Sequence, residues 1–221
     1  MEKEIKAIIF DVGGVLQLSK SPPFPFKRHS SQGVHEYVSS KLNISIDQYF
    51  DSIDQIYTKA VEGKISLKEA LEKLAINLNI TPEKLRKIYK SAYKKTFYLN
   101  RPLLRYIKKL KKKGYKVAIL SDMWHVPKEV LIPKKLSKIF NVSVVSCDVG
   151  VRKPNPKIYR IILKKLKFSP REIVFIDNQP WNLAPAKKLG IKTILFKDNS
   201  QLFKELNKLG INVPRRIFRR A

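Results

Sequence analysis

Three apolar runs in this chain stop at residues able to handle a phosphate or a hard cation, and a fourth leads to another across a loop. The run 5–10 stops at Asp11, 115–120 at Ser121 and Asp122, and 173–176 at Asp177 and Asn178, while Lys153 follows the run 142–146 across a short loop. Three carboxylates, a hydroxyl, an ammonium and an amide converging on one edge suit phosphoryl chemistry. One carboxylate can attack phosphorus, it and a second can hold a dication through oxygen, and the ammonium and hydroxyl can neutralise and orient phosphate oxygens. Each piece alone has a plainer reading. Asp11 followed by Gly13 and Gly14 is turn chemistry, Ser121-Asp122 and Asp177-Asn178 suit helix caps, and Lys153 is one of 46 basic residues.

The elements that must position these groups follow from periodicity. Residues 5–10 read as a buried strand ending in a tight turn. Residues 21–26 hold three prolines among aromatics and read as a linker or flap. From 32 to 97 the pattern is helical, in four stretches at 34–42, 46–61, 67–78 and 85–97, with apolar residues three or four apart. Ser66 with Glu69, and Thr81-Pro82-Glu83, are helix starts. After Arg101-Pro102 strands and helices alternate: helices at 103–113, 129–139, 157–167, 183–189 and 201–209, strands at 115–120, 142–146, 173–176 and 193–196. That alternation predicts an α/β fold, a parallel doubly wound sheet whose ligands bind at the carboxyl ends of its strands. The expected division is a core of 1–17 and 101–214, a helical cap at 18–100 with a proline-rich flap at 21–32, and a basic tail at 215–221.

The blocks carrying these groups are Ile8-Ile9-Phe10-Asp11-Val12-Gly13-Gly14-Val15-Leu16, Ile119-Leu120-Ser121-Asp122, Gly150-Val151-Arg152-Lys153-Pro154 and Val174-Phe175-Ile176-Asp177-Asn178. In this order they resemble the four motifs of the haloacid dehalogenase superfamily, and the helical block falls where one subgroup inserts an α-helical cap. Glu62-Gly63-Lys64-Ile65-Ser66 is similar to a cap turn of that subgroup. The resemblance implies a Rossmann-like core and a phosphatase in which Asp11 is the nucleophile and forms an aspartyl-phosphate. It implies that Ser121, Asp122 and Lys153 hold the phosphoryl group and that Asp11, the Gly13 carbonyl, Asp177 and Asn178 hold Mg²⁺, with Asn182 bracing the loop. Two positions depart from the pattern. Gly13 stands where many members carry a general acid, a loss worth about 10²- to 10⁴-fold in rate. Asn178 stands where a second carboxylate is usual.

The formal charge of +28 favours anionic partners. A small phosphorylated metabolite is the first expectation and nucleic acid a less favoured one, because lysine is spread through every segment and no single basic stripe stands out apart from the tail 215–220. Cys147 is the single cysteine, so no intrachain disulfide forms, and with no signal peptide or apolar span expected the reading is cytoplasmic and away from membranes. His29, His35 and His125 are not spaced as a metal site; His125, following Ser121, is a candidate proton donor. Trp124 and Trp181 follow strand ends and either pack or wall the pocket. The alternatives are a binding or regulatory protein that kept the fold and lost catalysis, and a 2-haloacid dehalogenase, which needs no metal. Nothing in the pattern sets an oligomeric state.

Overall fold

The computed structural model describes residues 4–20 and 32–212. The proline-rich residues 21–26, His29 and the basic run 215–220 lie outside them. In chain order, β1 (Ala7–Phe10) and β2 (Gln17–Ser19) lead to four helices, α1 (Gln32–Leu42), α2 (Ile46–Val61), α3 (Leu67–Asn77) and α4 (Pro82–Thr96). There follow β3 (Phe97–Leu99), α5 (Arg101–Lys112), β4 (Lys116–Ser121), α6 (His125–Leu131), α7 (Lys134–Ser137) and β5 (Val142–Val145). The chain continues through α8 (Ser146–Val149), α9 (Pro156–Leu166), β6 (Ile173–Asp177), α10 (Pro180–Lys188), β7 (Lys192–Leu195) and α11 (Asn199–Lys208).

Five strands form one sheet in the order β5-β4-β1-β6-β7, every pairing parallel. Strand β1 lies in the middle and is buried on both faces, which is why its sequence is a continuous apolar run rather than an alternation. Ile8 and Phe10 enter the core that faces α5, α11 and the cap. Ala7 and Ile9 enter the opposite core with Ile158 and Ile162 of α9 and Ala186 of α10. Burying each large side chain of this kind stabilises the fold by about 1.5–3 kcal/mol. The register pairs Phe10 with Ile119 on one side and with Ile176 on the other. One step further along the chain therefore brings Asp11 level with Leu120 and Asp177, at the carboxyl edge.

The helical insertion has sound local starts. Ser45 caps α2 in a reciprocal box with Gln48, Ser66 accepts from the Glu69 N–H, and Thr81 accepts from Lys84 N ahead of Pro82. Where the chain leaves and re-enters the core, β2 and β3 pair antiparallel, and Asn100 Nδ2 donates to the Val15 carbonyl at 3.0 Å. The periodicity does not predict this two-stranded ribbon: three residues a side are too short for a periodic signal, and Phe97 falls at the end of the helical pattern 85–97. The stretch 129–139 is also not one helix. It divides into α6 and α7 at Pro133, which lacks an N–H and keeps Ile132 out of the helical region.

Candidate active site

Asp11 sits just past β1, Ser121 ends β4 and Asp177 ends β6, so the strand order β4-β1-β6 sets the three side by side. Lys153 arrives from the loop between α8 and α9. Its Nζ donates to Asp11 Oδ1 at 2.9 Å and to Asp177 Oδ2 at 2.6 Å. All three side chains are almost wholly buried, with at most 9% exposure. The backbone N–H of Lys153 donates to Asp122 Oδ1 at 3.1 Å, which joins the second strand end to the same loop. Asn182 Nδ2 donates to Asp177 Oδ2 at 3.1 Å and Gln179 N to Oδ1 at 2.8 Å, fixing that carboxylate from α10. Tyr159 in turn donates its hydroxyl to the Asn182 carbonyl at 2.6 Å.

The electrostatics follow from burial. Desolvation pushes the Asp11 carboxyl up, to about 6, against the pull of the Lys153 ammonium and with the help of Asp177. Burial raises Asp122 as well, again opposed by Lys153. Desolvation would strip Lys153 of its proton, but the three carboxylates outweigh it and hold the ammonium above its ordinary value. Three carboxylates and one ammonium carry a formal charge of −2, which a dication would neutralise.

The donor set fits a hard cation. Asn178 Oδ1 is buried with no hydrogen-bond partner, an oxygen that costs stability unless something takes it. Asp11, Asp177, the Gly13 carbonyl and Asn178 Oδ1 are all oxygen donors of the kind Mg²⁺ takes. Among the described residues no group of three or more His, Cys, Asp and Glu could hold a metal ion. A cation here would depend on the amide and the backbone carbonyl as well as the carboxylates. Gly14 lies against Asn178 with φ +82°, leaving no room for a side chain between the first and fourth motifs.

Above this edge lies a cavity of about 570 Å³, lined from the core by Asp11, Ser121, Lys153 and Asn178 and roofed by one face of α2. That face carries Phe50, Ile53, Asp54, Tyr57, Thr58 and Val61, the spacing of a single helical stripe. The cap turn docks on the core. A Cβ at Gly63 would sit 2.3 Å from the Cys147 carbonyl, and Glu62 Oε1 pairs with Arg152 Nε at 3.3 Å. Glu129 of α6 also takes Arg86 and Lys90 of α4 at 2.8 and 2.7 Å.

His125 is not among the residues lining the cavity; His35 of the cap is, a position the sequence offered only as a helix residue. Trp124 is fully buried against Tyr89 and packs, whereas Trp181 stands half exposed on the cavity wall.

Residues 5–190 match the haloacid dehalogenase-like hydrolase family. The chain belongs to that family. Among curated relatives of this HAD-like hydrolase, rat bifunctional epoxide hydrolase 2 is 38% identical over 116 residues, covering 50% of this chain and 21% of that protein. The glyceraldehyde 3-phosphate phosphatase of Pyrococcus furiosus is 32% identical over 91 residues, covering 40% of this chain and 38% of its own. The match thus spans well under half the length of either relative. A HAD-family enzyme of Bacteroides thetaiotaomicron, crystallised with magnesium and inorganic phosphate, superposes with a TM-score of 0.72 at 20% identity over 90% of this chain and 99% of that one. That likeness places the fold of this HAD-like hydrolase. No helix among its described residues is long and apolar enough to cross a membrane.

Proposed function

We propose that this HAD-like hydrolase is a Mg²⁺-dependent phosphatase that cleaves a small phosphorylated metabolite through an aspartyl-phosphate at Asp11. The observation that carries the reading is the Lys153 ammonium held between Asp11 and Asp177 at 2.9 and 2.6 Å on the floor of the cavity. An Asp11 oxygen attacks phosphorus, the ester oxygen leaves and takes a proton from water to become an alcohol, and a further water then cleaves the acyl-phosphate to inorganic phosphate and the restored carboxylate. Lys153 keeps Asp11 ionised and offsets charge on the phosphoryl oxygens, and the Ser121 hydroxyl donates to one of them. Asp122 fixes the Lys153 loop by accepting its N–H. When bound, Mg²⁺ would be held by Asp11, the Gly13 carbonyl, Asp177 and Asn178 and would supply positive charge to the phosphoryl group.

The test is release of inorganic phosphate from a panel of phosphomonoesters with and without Mg²⁺. Turnover that needs Mg²⁺ and disappears in Asp11→Asn is expected. Absence of turnover by the wild type, or full turnover by Asp11→Asn, overturns the proposal. Halide release from 2-haloacids without Mg²⁺ would point instead to the dehalogenase. Salt-sensitive retention on DNA or RNA with no phosphate release would point to the binding protein.

A further inference from the structure

The cavity that holds the phosphate-handling groups is also lined by several rings. Among the described residues four large apolar side chains stand exposed, Phe50, Ile76, Tyr98 and Trp181, and two of them line this one cavity. Phe50 is 43% exposed and comes from α2 of the cap; Trp181 is 49% exposed and comes from the first turn of α10 in the core. Tyr57, Tyr93 and Phe97 extend the same wall. A single exposed ring is ordinary, but two from different domains lining the cavity that holds the reacting groups form an apolar surface left open at a ligand's place.

Two of the polar residues lining the cavity, His35 and Arg152, already hold partners. Tyr49 and Tyr89 share a hydrogen bond of 2.8 Å, His35 Nδ1 bonds the Tyr49 hydroxyl at 3.1 Å, and Arg152 pairs with Glu62. Asp54 and Thr58 are the polar members of the α2 stripe. Hydroxyls of a polyhydroxylated substrate set against the rings themselves would lack partners, each at a cost. A flat aromatic group would instead cover the rings, and the volume of about 570 Å³ lies within the range of about 300–1,000 Å³ usual for small-ligand sites.

We infer that the substrate is a phosphate monoester carrying a flat aromatic ring system, stacked against Phe50 and Trp181 while its phosphate meets Asp11. This rests on the phosphatase reading above, and the experiment separates the two. Adenosine 5′-monophosphate, flavin mononucleotide and ribose 5-phosphate are all phosphate esters of a primary alcohol, so the leaving groups are alike, and the first and last share a ribose and differ chiefly in the base. The mononucleotides should show KM values lower than that of ribose 5-phosphate by about ten-fold, the scale of one base stacked on an aromatic side chain. Which of the two is preferred tells a purine from an isoalloxazine. Phe50→Ala and Trp181→Ala, on separate elements and each checked for folding by circular dichroism, should each erase most of that difference.

A second readout needs no turnover. Titrating Asp11→Asn with adenosine 5′-monophosphate should quench the fluorescence of the half-exposed Trp181, ribose 5-phosphate should not, and adding Trp181→Phe should abolish the quench. Equal KM values for the three esters, or quenching that survives in Trp181→Phe, overturns the inference and leaves the phosphatase reading standing. Failure to release phosphate from any ester overturns the phosphatase reading, and the fluorescence titration then decides the ring-binding inference alone.

Discussion

A Cβ placed on Gly14 would lie 2.3 Å from Nδ2 of Asn178, so the first motif's turn and the fourth motif's amide occupy one packed unit. Gly14→Ala must push Asn178 aside and also adopt φ +82°, which strains an L-residue by roughly 1–2 kcal/mol. Weaker Mg²⁺ activation is expected, read as a several-fold rise in the Mg²⁺ concentration for half-maximal phosphate release, with a modest loss of stability in urea. Asn178→Asp, which adds a charge where an oxygen stands free, should move the Mg²⁺ requirement the other way.

Removing the ammonium from the cluster should be more damaging than removing either carboxylate. Lys153→Met leaves the Asp11 and Asp177 carboxylates buried without their shared partner, a change of about 3–5 kcal/mol. Activity should fall below detection. Urea unfolding of the metal-free variant should show a larger loss at pH 8 than at pH 5, because at pH 5 Asp11 can take a proton and shed its buried charge. Equal losses at both pH values would contradict this account of the cluster.

Asp11 itself gives a pH dependence of defined sign. Its folded value, near 6, lies above the ordinary 3.8 because burial outweighs the pull of Lys153. Between those values the metal-free folded chain holds a proton that the unfolded chain has released. Stability from this group is therefore complete below about 3.8 and is lost as pH rises through about 6. Asp11→Asn has no such loss, so its stability relative to wild type should improve between pH 4 and pH 8 by on the order of 1–3 kcal/mol. Chemical denaturation in chelator measures it, and a flat difference across that range would refute it.

Gly13 leaves the ester oxygen without a carboxylic acid two residues from the nucleophile. The rate should therefore depend steeply on the leaving group, with aryl phosphates far ahead of alkyl phosphates. Gly13→Asp should raise kcat on alkyl phosphates by about 10- to 100-fold, part of the usual gain from general acid help, while changing aryl phosphates little. The ratio of the two rates before and after the substitution is the measurement.

Much of the floor of this site was legible in the order of residues. A buried parallel strand is an unbroken apolar run, so the positions where such runs end, Asp11, Ser121 and Asp177, mark the carboxyl edge without any knowledge of the tertiary contacts. Lys153 was less legible. It is one basic residue among 46, and only its place in the block from Gly150 to Pro154 singled it out. The β2–β3 ribbon, the break at Pro133 and the choice of His35 over His125 as a cavity residue were not readable in the same way. The ribbon is too short for a period, and the cavity wall depends on which helix face the docked cap presents.

What the sequence determined by itself was therefore local: the periods that make strands and helices, the caps that start them, and the chemical types that terminate each strand. What only the tertiary structure decided was which distant atoms meet. Lys153 lies 142 residues from Asp11 in the chain and bonds it at 2.9 Å, and Phe50 reaches a cavity it shares with Trp181. Periodicity acts over a few residues, whereas these meetings are set by the strand order, by the ion pairs Glu62–Arg152 and Glu129–Arg86, and by the close fit of Gly63 against Cys147. Those are packing decisions made between surfaces, and no short stretch of residues contains both sides of them.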